Sequence, residues 1–179
     1  MGRAVKPAGL ITVEHVVAAA RKVHSMSQAE KIALADEVFK AQPNLLASCL
    51  AQPRLGVAME SVEFLLNLLF VCFEAMKRSG RQWTVISEDE QERQLARMVG
   101  AVKFSEDFSD SALANAARTQ YFVDHPEQPL FAFVVGECRT WLRDVARRRA
   151  ESESDKYVMM AAINMVNCIA AGAHPAPRG

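Results

Sequence analysis

Half of the 179 residues are hydrophobic and 23% are charged, which is the composition of a folded globular chain rather than a disordered one. Twenty-one Lys and Arg balance 21 Asp and Glu, so the chain lacks the surplus positive charge that nucleic-acid backbone or anionic lipid would select, and copies of it do not repel one another. A chain of this length suits one domain burying about 70% of its unfolded surface, without help from metal or disulfide.

Residues 1–11, with Pro7 and Gly9, read as a flexible arm. Arg3 and Lys6 precede an apolar run that Glu14 and His15 interrupt, which is not the pattern of a signal peptide. Thr12 is placed to cap a first helix reaching about Val23, with Val13, Val16, Val17 and Ala20 on its inner face. Ser27-Gln-Ala-Glu30 is a capping box for a second, whose stripe is Ile32, Leu34, Ala35, Val38 and Phe39 and which stops before Pro43. Ala41-Gln-Pro-Asn-Leu45 is echoed by Ala51-Gln-Pro-Arg-Leu55; in both, Pro suits a first helical turn, where its missing N–H costs nothing.

The segment from Pro53 to Ser79 is expected to be one helix, stopped at Gly80. At about 100° per residue, Glu60, Glu63, Asn67, Glu74 and Arg78 fall within about 60° of one another and the rest of the circumference is apolar. Such a helix belongs inside something. Its carboxylates argue against a membrane span.

Trp83–Ile86 reads as an extended link without an evident strand partner, and Ser87-Glu-Asp-Glu90 as a capping box for a helix to about Lys103. An acidic loop, Phe104–Ser111, lacks the alternation and central Gly of a calcium loop. An Ala-rich helix follows from Ser109 or Asp110. After Asp124-His-Pro126, a helix over about Glu127–Ala150 carries Gly136 in its interior, the usual reason for which is close approach of a neighbouring helix. Ser152-Glu-Ser-Asp155 caps the last helix, Tyr157–Ala171 is apolar nearly all round, and residues 172–179 form a flexible tail.

The expected fold is thus all-α: a single domain over residues 12–171, of seven or eight helices packed around a buried helix at about 53–79. Cys49, Cys72, Cys138 and Cys168 are far apart, in no CxxC pair, and read as buried free thiols in a reducing compartment, which points to the cytoplasm.

No phosphate loop, nucleophile elbow or zinc-binding helix is present. The one polar constellation is Glu60, Glu63, Asn67 and Glu74, which Arg139 and Arg143 could meet from the later helix. Di-metal bundles pair such carboxylates with Glu-x-x-His, which does not occur here, so neither metal nor cofactor is expected. Arg139, Arg143 and Arg147 share a face, but no recognition helix accompanies them. Asp124 beside His125 reads as a helix cap. More apolar surface is available than one buried helix requires. The surplus suggests an interface on Trp141, Val145, Tyr157, Met159, Met160 and Met165, closed by a second copy or another protein. The functional expectation is a non-enzymatic interaction or regulatory protein, homodimeric. The alternatives are a binder of an apolar small molecule between helices and an enzyme using the Glu/Asn/Arg site.

Overall fold

A computed structural model describes residues 11–106, 119–121, 123–150 and 152–173, with backbone only at 104–106. Most of the expected acidic loop, the start of the Ala-rich helix, residues 1–10 and residues 174–179 lie outside these. Among the described residues the chain is all-helical: α1 (Val13–Ser25), α2 (Gln28–Ala41), α3 (Pro43–Leu50), a 3-10 turn (Gln52–Leu55), α4 (Met59–Arg78), α5 (Glu88–Glu106), α6 (Gln128–Arg148) and α7 (Glu153–Ala171).

Short-range capping chemistry sets the helix starts. The Thr12 hydroxyl accepts from His15 N–H at 3.3 Å, and His15 Nδ1 accepts from Thr12 N–H at 3.2 Å, so a histidine replaces the usual Glu of the box. The Ser27–Glu30 box closes as expected, at 2.7 and 3.3 Å. At Ser87 only half the box forms: Glu90 N–H reaches the hydroxyl at 3.1 Å, while the Glu90 carboxylate turns to Arg93 and Gln94. Pro43 opens α3, Pro53 the 3-10 turn and Pro129 the first turn of α6.

Four expectations need correction. On α1 the inner face is Val16, Ala19 and Val23; Val13 and Val17 are exposed. On α2 it is Leu34 and Val38, whereas Ile32 is 57% and Phe39 63% exposed. On each helix two residues of the expected stripe face solvent, because the helix touches the core along a narrow line. The helix expected from Pro53 begins instead at Met59, because Gly56, at φ +79°, turns the chain first. Gly136 in α6 is exposed with open space around it, and nothing in the structure explains it.

The run Leu68–Met76 of α4 is buried at every position, and α4 touches α1, α2, α3, α7 and the 3-10 turn. Glu74 falls inside that run. Its carboxylate is met by Lys22 of α1 at 3.0 Å and Lys77 at 2.7 Å, with Arg78 at 3.9 Å. Burial alone would raise the Glu74 pKa, but the hydrogen bonds from Lys77 and Lys22 hold it below the usual carboxylate range. α4 is therefore pinned to α1 by charge as well as by apolar contact.

The extended link after Gly80 finds its partner in a side chain rather than a strand. Buried Gln42 donates to Thr84 O at 2.8 Å and accepts from Ile86 N–H at 2.9 Å, while Asn44 donates to Ile86 O at 2.9 Å. Trp83 makes a lone bridge to Ala173. Ile11, expected in the flexible arm, is fully buried, and its N–H donates to the Glu127 carboxylate at 3.0 Å. The other Glu127 oxygen takes Arg81 at 2.6 Å, both side chains being almost wholly buried. Among the described residues the Arg81 Nε has no hydrogen-bond partner. Burial raises the Glu127 pKa, and the Arg81 guanidinium and Ile11 N–H offset only part of that rise. A buried pair of this kind is costly to break yet replaceable as a unit. Glu127→Ala should lose about 3–5 kcal/mol by stranding the Arg81 charge, whereas Arg81→Met with Glu127→Gln, which keeps an acceptor for Ile11 and strands only a neutral amide N–H, should lose about 1–2 kcal/mol. Urea denaturation of the three proteins checks this; equal losses in both variants would contradict it.

Candidate functional site

The polar residues that share one line of α4 do not meet in one place. Glu60, Glu63 and Asn67 are exposed. Glu60 pairs with Arg148 at the far end of α6. Asn67 is held by its own helix, donating to Glu63 O at 2.9 Å, and accepts from Lys31 of α2 at 3.0 Å. Glu74 lies about 21 Å along the axis from Glu60, at 1.5 Å per residue, and is occupied by α1. Arg143 is exposed and donates to Thr140 at 3.2 Å, and Arg139 is exposed as well. Glu74 apart, these groups open onto solvent, in separate neighbourhoods rather than around a common cavity.

The expected interface residues divide in two. Trp141, Val145 and Met165 are buried within the chain's own core, Trp141 stacking on Phe64 of α4 at 5.1 Å between ring centroids. Leu130, Phe131, Val134, Val135 and Cys138 of α6 are likewise buried. Packing of α6 against α1 and α7 thus consumes apolar surface that had been assigned to a partner. Tyr157, Met159 and Met160 remain partly exposed on α7.

What the fold does assemble is a cleft of about 640 Å³ between α5, the segment around residues 120–126 and α7. α5 contributes Gln94, Arg97 and Met98, the segment Gln120, Tyr121, Asp124, His125 and Pro126, and α7 Asn167, Ala170 and Ala171. Its floor is organised by Asn167, 42 residues from His125 in sequence. His125 Nδ1 accepts from Glu127 N–H at 3.1 Å, which leaves Nε2 as the protonated nitrogen, donating to Asn167 Oδ1 at 3.1 Å. The Tyr121 hydroxyl donates to the same oxygen at 3.2 Å. The imidazole stacks on Phe131 at 4.2 Å, and Tyr121 meets Phe131 edge-on at 5.8 Å.

Both nitrogens of His125 are therefore engaged, and the ring serves as a neutral strut between the start of α6 and the end of α7. Asp124 does not cap α6, whose cap position is Glu127; it accepts from Gln120 at 2.5 Å. No sequence signal marks this cluster, because Asn167, the acceptor its members share, stands 42 residues from His125 and only folding brings it there. The four cysteines are buried, and burial pushes the thiols of Cys49, Cys138 and Cys168 up to about 12 and that of Cys72 higher still, so none supplies a thiolate near neutral pH. Among the described residues no group of His, Cys, Asp and Glu is arranged to hold a metal, and no helix is long and apolar enough to cross a membrane.

No family model matches the chain, and neither does a curated protein or a solved structure.

Burial holds the His125 pKa below its usual value, its hydrogen bonds to Asn167 and Glu127 offsetting part of the effect. The unfolded imidazole then takes up a proton before the folded one as the pH falls. Stability contributed by His125 is full above the histidine range and declines through it. The melting temperature should drop between about pH 7.5 and about pH 5.5. His125→Phe, which keeps a ring on Phe131, should flatten that part of the profile; an unchanged slope would contradict the neutral-strut role.

Proposed function

We propose that this chain is a non-enzymatic, all-helical binding protein whose ligand is a largely apolar small molecule held in the His125 cleft between α5 and α7. The observation that carries the reading is the cleft itself. Its volume of about 640 Å³ falls in the ordinary range of ligand sites, about 300–1,000 Å³. Met98, Pro126, Ala170 and Ala171 give it apolar walls, and the Asn167 network fixes a few polar atoms in place. That is the lining expected of a binding pocket. His125, the one histidine in the cleft, is tied at both nitrogens, which favours binding over base catalysis.

A second reading keeps a protein partner, most simply a second copy. It is favoured by Tyr157, Met159 and Met160, which stay partly exposed on one helix, and by a net charge of zero. In either case we place the protein in the cytoplasm, where four free thiols remain reduced. Neither nucleic acid nor a membrane is proposed as a partner.

Thermal unfolding against a panel of fatty acids, isoprenoids and aromatic cofactors tests the first reading. A true ligand at about one hundred times its Kd adds about 2.7 kcal/mol, a rise of roughly 5–10 °C for a chain of this size. Ala171→Phe, a change at an exposed position in the cleft wall, should abolish the rise while leaving the unliganded melt in place. A shift that survives this substitution, or a panel without any shift, would count against the cleft. Light scattering at high micromolar concentration separates the second reading: a monomer that stays monomeric removes the homodimer.

A further inference from the structure

Two walls of the His125 cleft are helices that run in the same direction in a fixed register. Asn164 of α7 donates to Gln91 O of α5 at 3.0 Å. One turn further along each helix stand Asn167 and Gln94, and beyond them Ala170 and Arg97, all lining this cleft. The register that joins Gln91 to Asn164 therefore sets Gln94 beside Asn167 on the same seam. Both residues are only 8% exposed.

Neighbours fix which way round each side-chain amide lies. Asn167 Oδ1 accepts from His125 Nε2 at 3.1 Å and from the Tyr121 hydroxyl at 3.2 Å, so it is the oxygen and Nδ2 is left over. Gln94 Nε2 donates at 2.6 Å to the Glu90 carboxylate, which can only accept, so Oε1 is left over. Among the described residues neither leftover atom has a hydrogen-bond partner, and neither is sealed away from solvent. The two donors on Oδ1 also polarise the Asn167 amide and strengthen Nδ2 as a donor. The seam thus offers one donor beside one acceptor. The charged residues of the lining, Arg97 and Asp124, are both exposed and opposite in sign, and Asp124 already accepts from Gln120. A charged ligand would gain from one and lose to the other, whereas a neutral one meets neither penalty.

Resting on the cleft reading above, we propose that the molecule held there is a neutral secondary amide with apolar substituents. Its C=O accepts from Asn167 Nδ2, its N–H donates to Gln94 Oε1, and its hydrocarbon part lies against Met98, Pro126 and Ala170. A secondary amide carries one acceptor and one donor on neighbouring atoms, which is the complement of this pair. A bridging water has both as well and is the alternative to be separated.

Titration calorimetry at neutral pH with N-methylbenzamide and methyl benzoate tests the assignment. The ester keeps the shape and the carbonyl but sets an oxygen against Gln94 Oε1, and the amide is expected to bind about tenfold more tightly. Isoindolin-1-one, the ring-closed amide, separates a cyclic from an open-chain ligand; a tenfold advantage of either amide over the ester supports the proposal. Gln94→Met should erase that advantage while circular dichroism shows the helices intact. Asn167 also holds His125 and Tyr121, so its part is read without substitution: its side-chain amide signal in a nitrogen–proton correlation spectrum should shift when N-methylbenzamide is added. That signal decides should Gln94→Met fail to fold. Ala171→Phe should abolish binding of every probe. Equal affinity for amide and ester, with both lost in Ala171→Phe, would overturn the amide assignment and leave the cleft standing. An advantage that persists in Gln94→Met, or an unmoved Asn167 signal, would overturn it too. Absence of saturable binding by either amide would also overturn it, as expected of a pair bridged by water, and the thermal panel alone would then judge the cleft.

Discussion

Nine consecutive residues of α4, Leu68–Met76, have no side that faces water. A helix in that position needs cover around its whole circumference, and α1, α2, α3 and α7 supply it. The demand also explains an apparent misfit. Glu74 points into the same enclosure, and a carboxylate there survives only with cations beside it; Lys22 and Lys77 provide them. Because Lys77 also bridges to Glu37 of α2 at 2.7 Å, a single charge cluster ties three helices together. The Glu74 pairing contributes fully above the carboxylate range and fades as the pH falls through it, since its folded pKa lies below the unfolded one.

Two further buried polar groupings fix the segments that follow α4. Glu127 joins Arg81 of the link to Ile11, and Asn167 joins His125 and Tyr121 to α7. Neither is needed to exclude water. Each imposes directional constraints that a purely apolar contact lacks, and together they set where α6 begins and how α7 lies against it. The His125 cleft flanks the C-terminal part of α7, where α5 lines its other wall.

The parts of this fold legible from sequence were those decided within a few residues. Ser27 and Glu30, Pro43, and Gly80 act on their own turn of backbone, and the structure places helix boundaries where they imply. The thiols could be read as buried because each stands in apolar helical sequence. Legibility failed where the outcome depends on how wide a contact a helix makes. Val17 and Phe39 have the character of inner-face residues, and only the single-line contacts of α1 and α2 leave them outside. Pro53 and Gly56 sent competing signals three residues apart, and the left-handed turn at Gly56 prevailed. Trp141 and Val145 looked like surplus because the ring of Phe64, 77 residues earlier in the chain, could not be seen as the stacking partner. Candidate sites fared worst. The line of polar residues on α4 is real as a line, yet its members are claimed by different neighbours, and the Asn167 cluster joins Tyr121 and His125 to a side chain 42 residues beyond the histidine.

The claim on which this description rests is that Leu68–Met76 is reachable by water only when the whole fold opens. Native-state amide hydrogen exchange measures this directly. Amides of Leu68–Met76 should exchange with an opening free energy equal to that of global unfolding, while the outward-facing residues of α2 and the first turn of α5 exchange through smaller openings. Exchange of the Leu68–Met76 amides well below the global free energy would contradict it, showing a helix that lies at the surface rather than one enclosed by its neighbours.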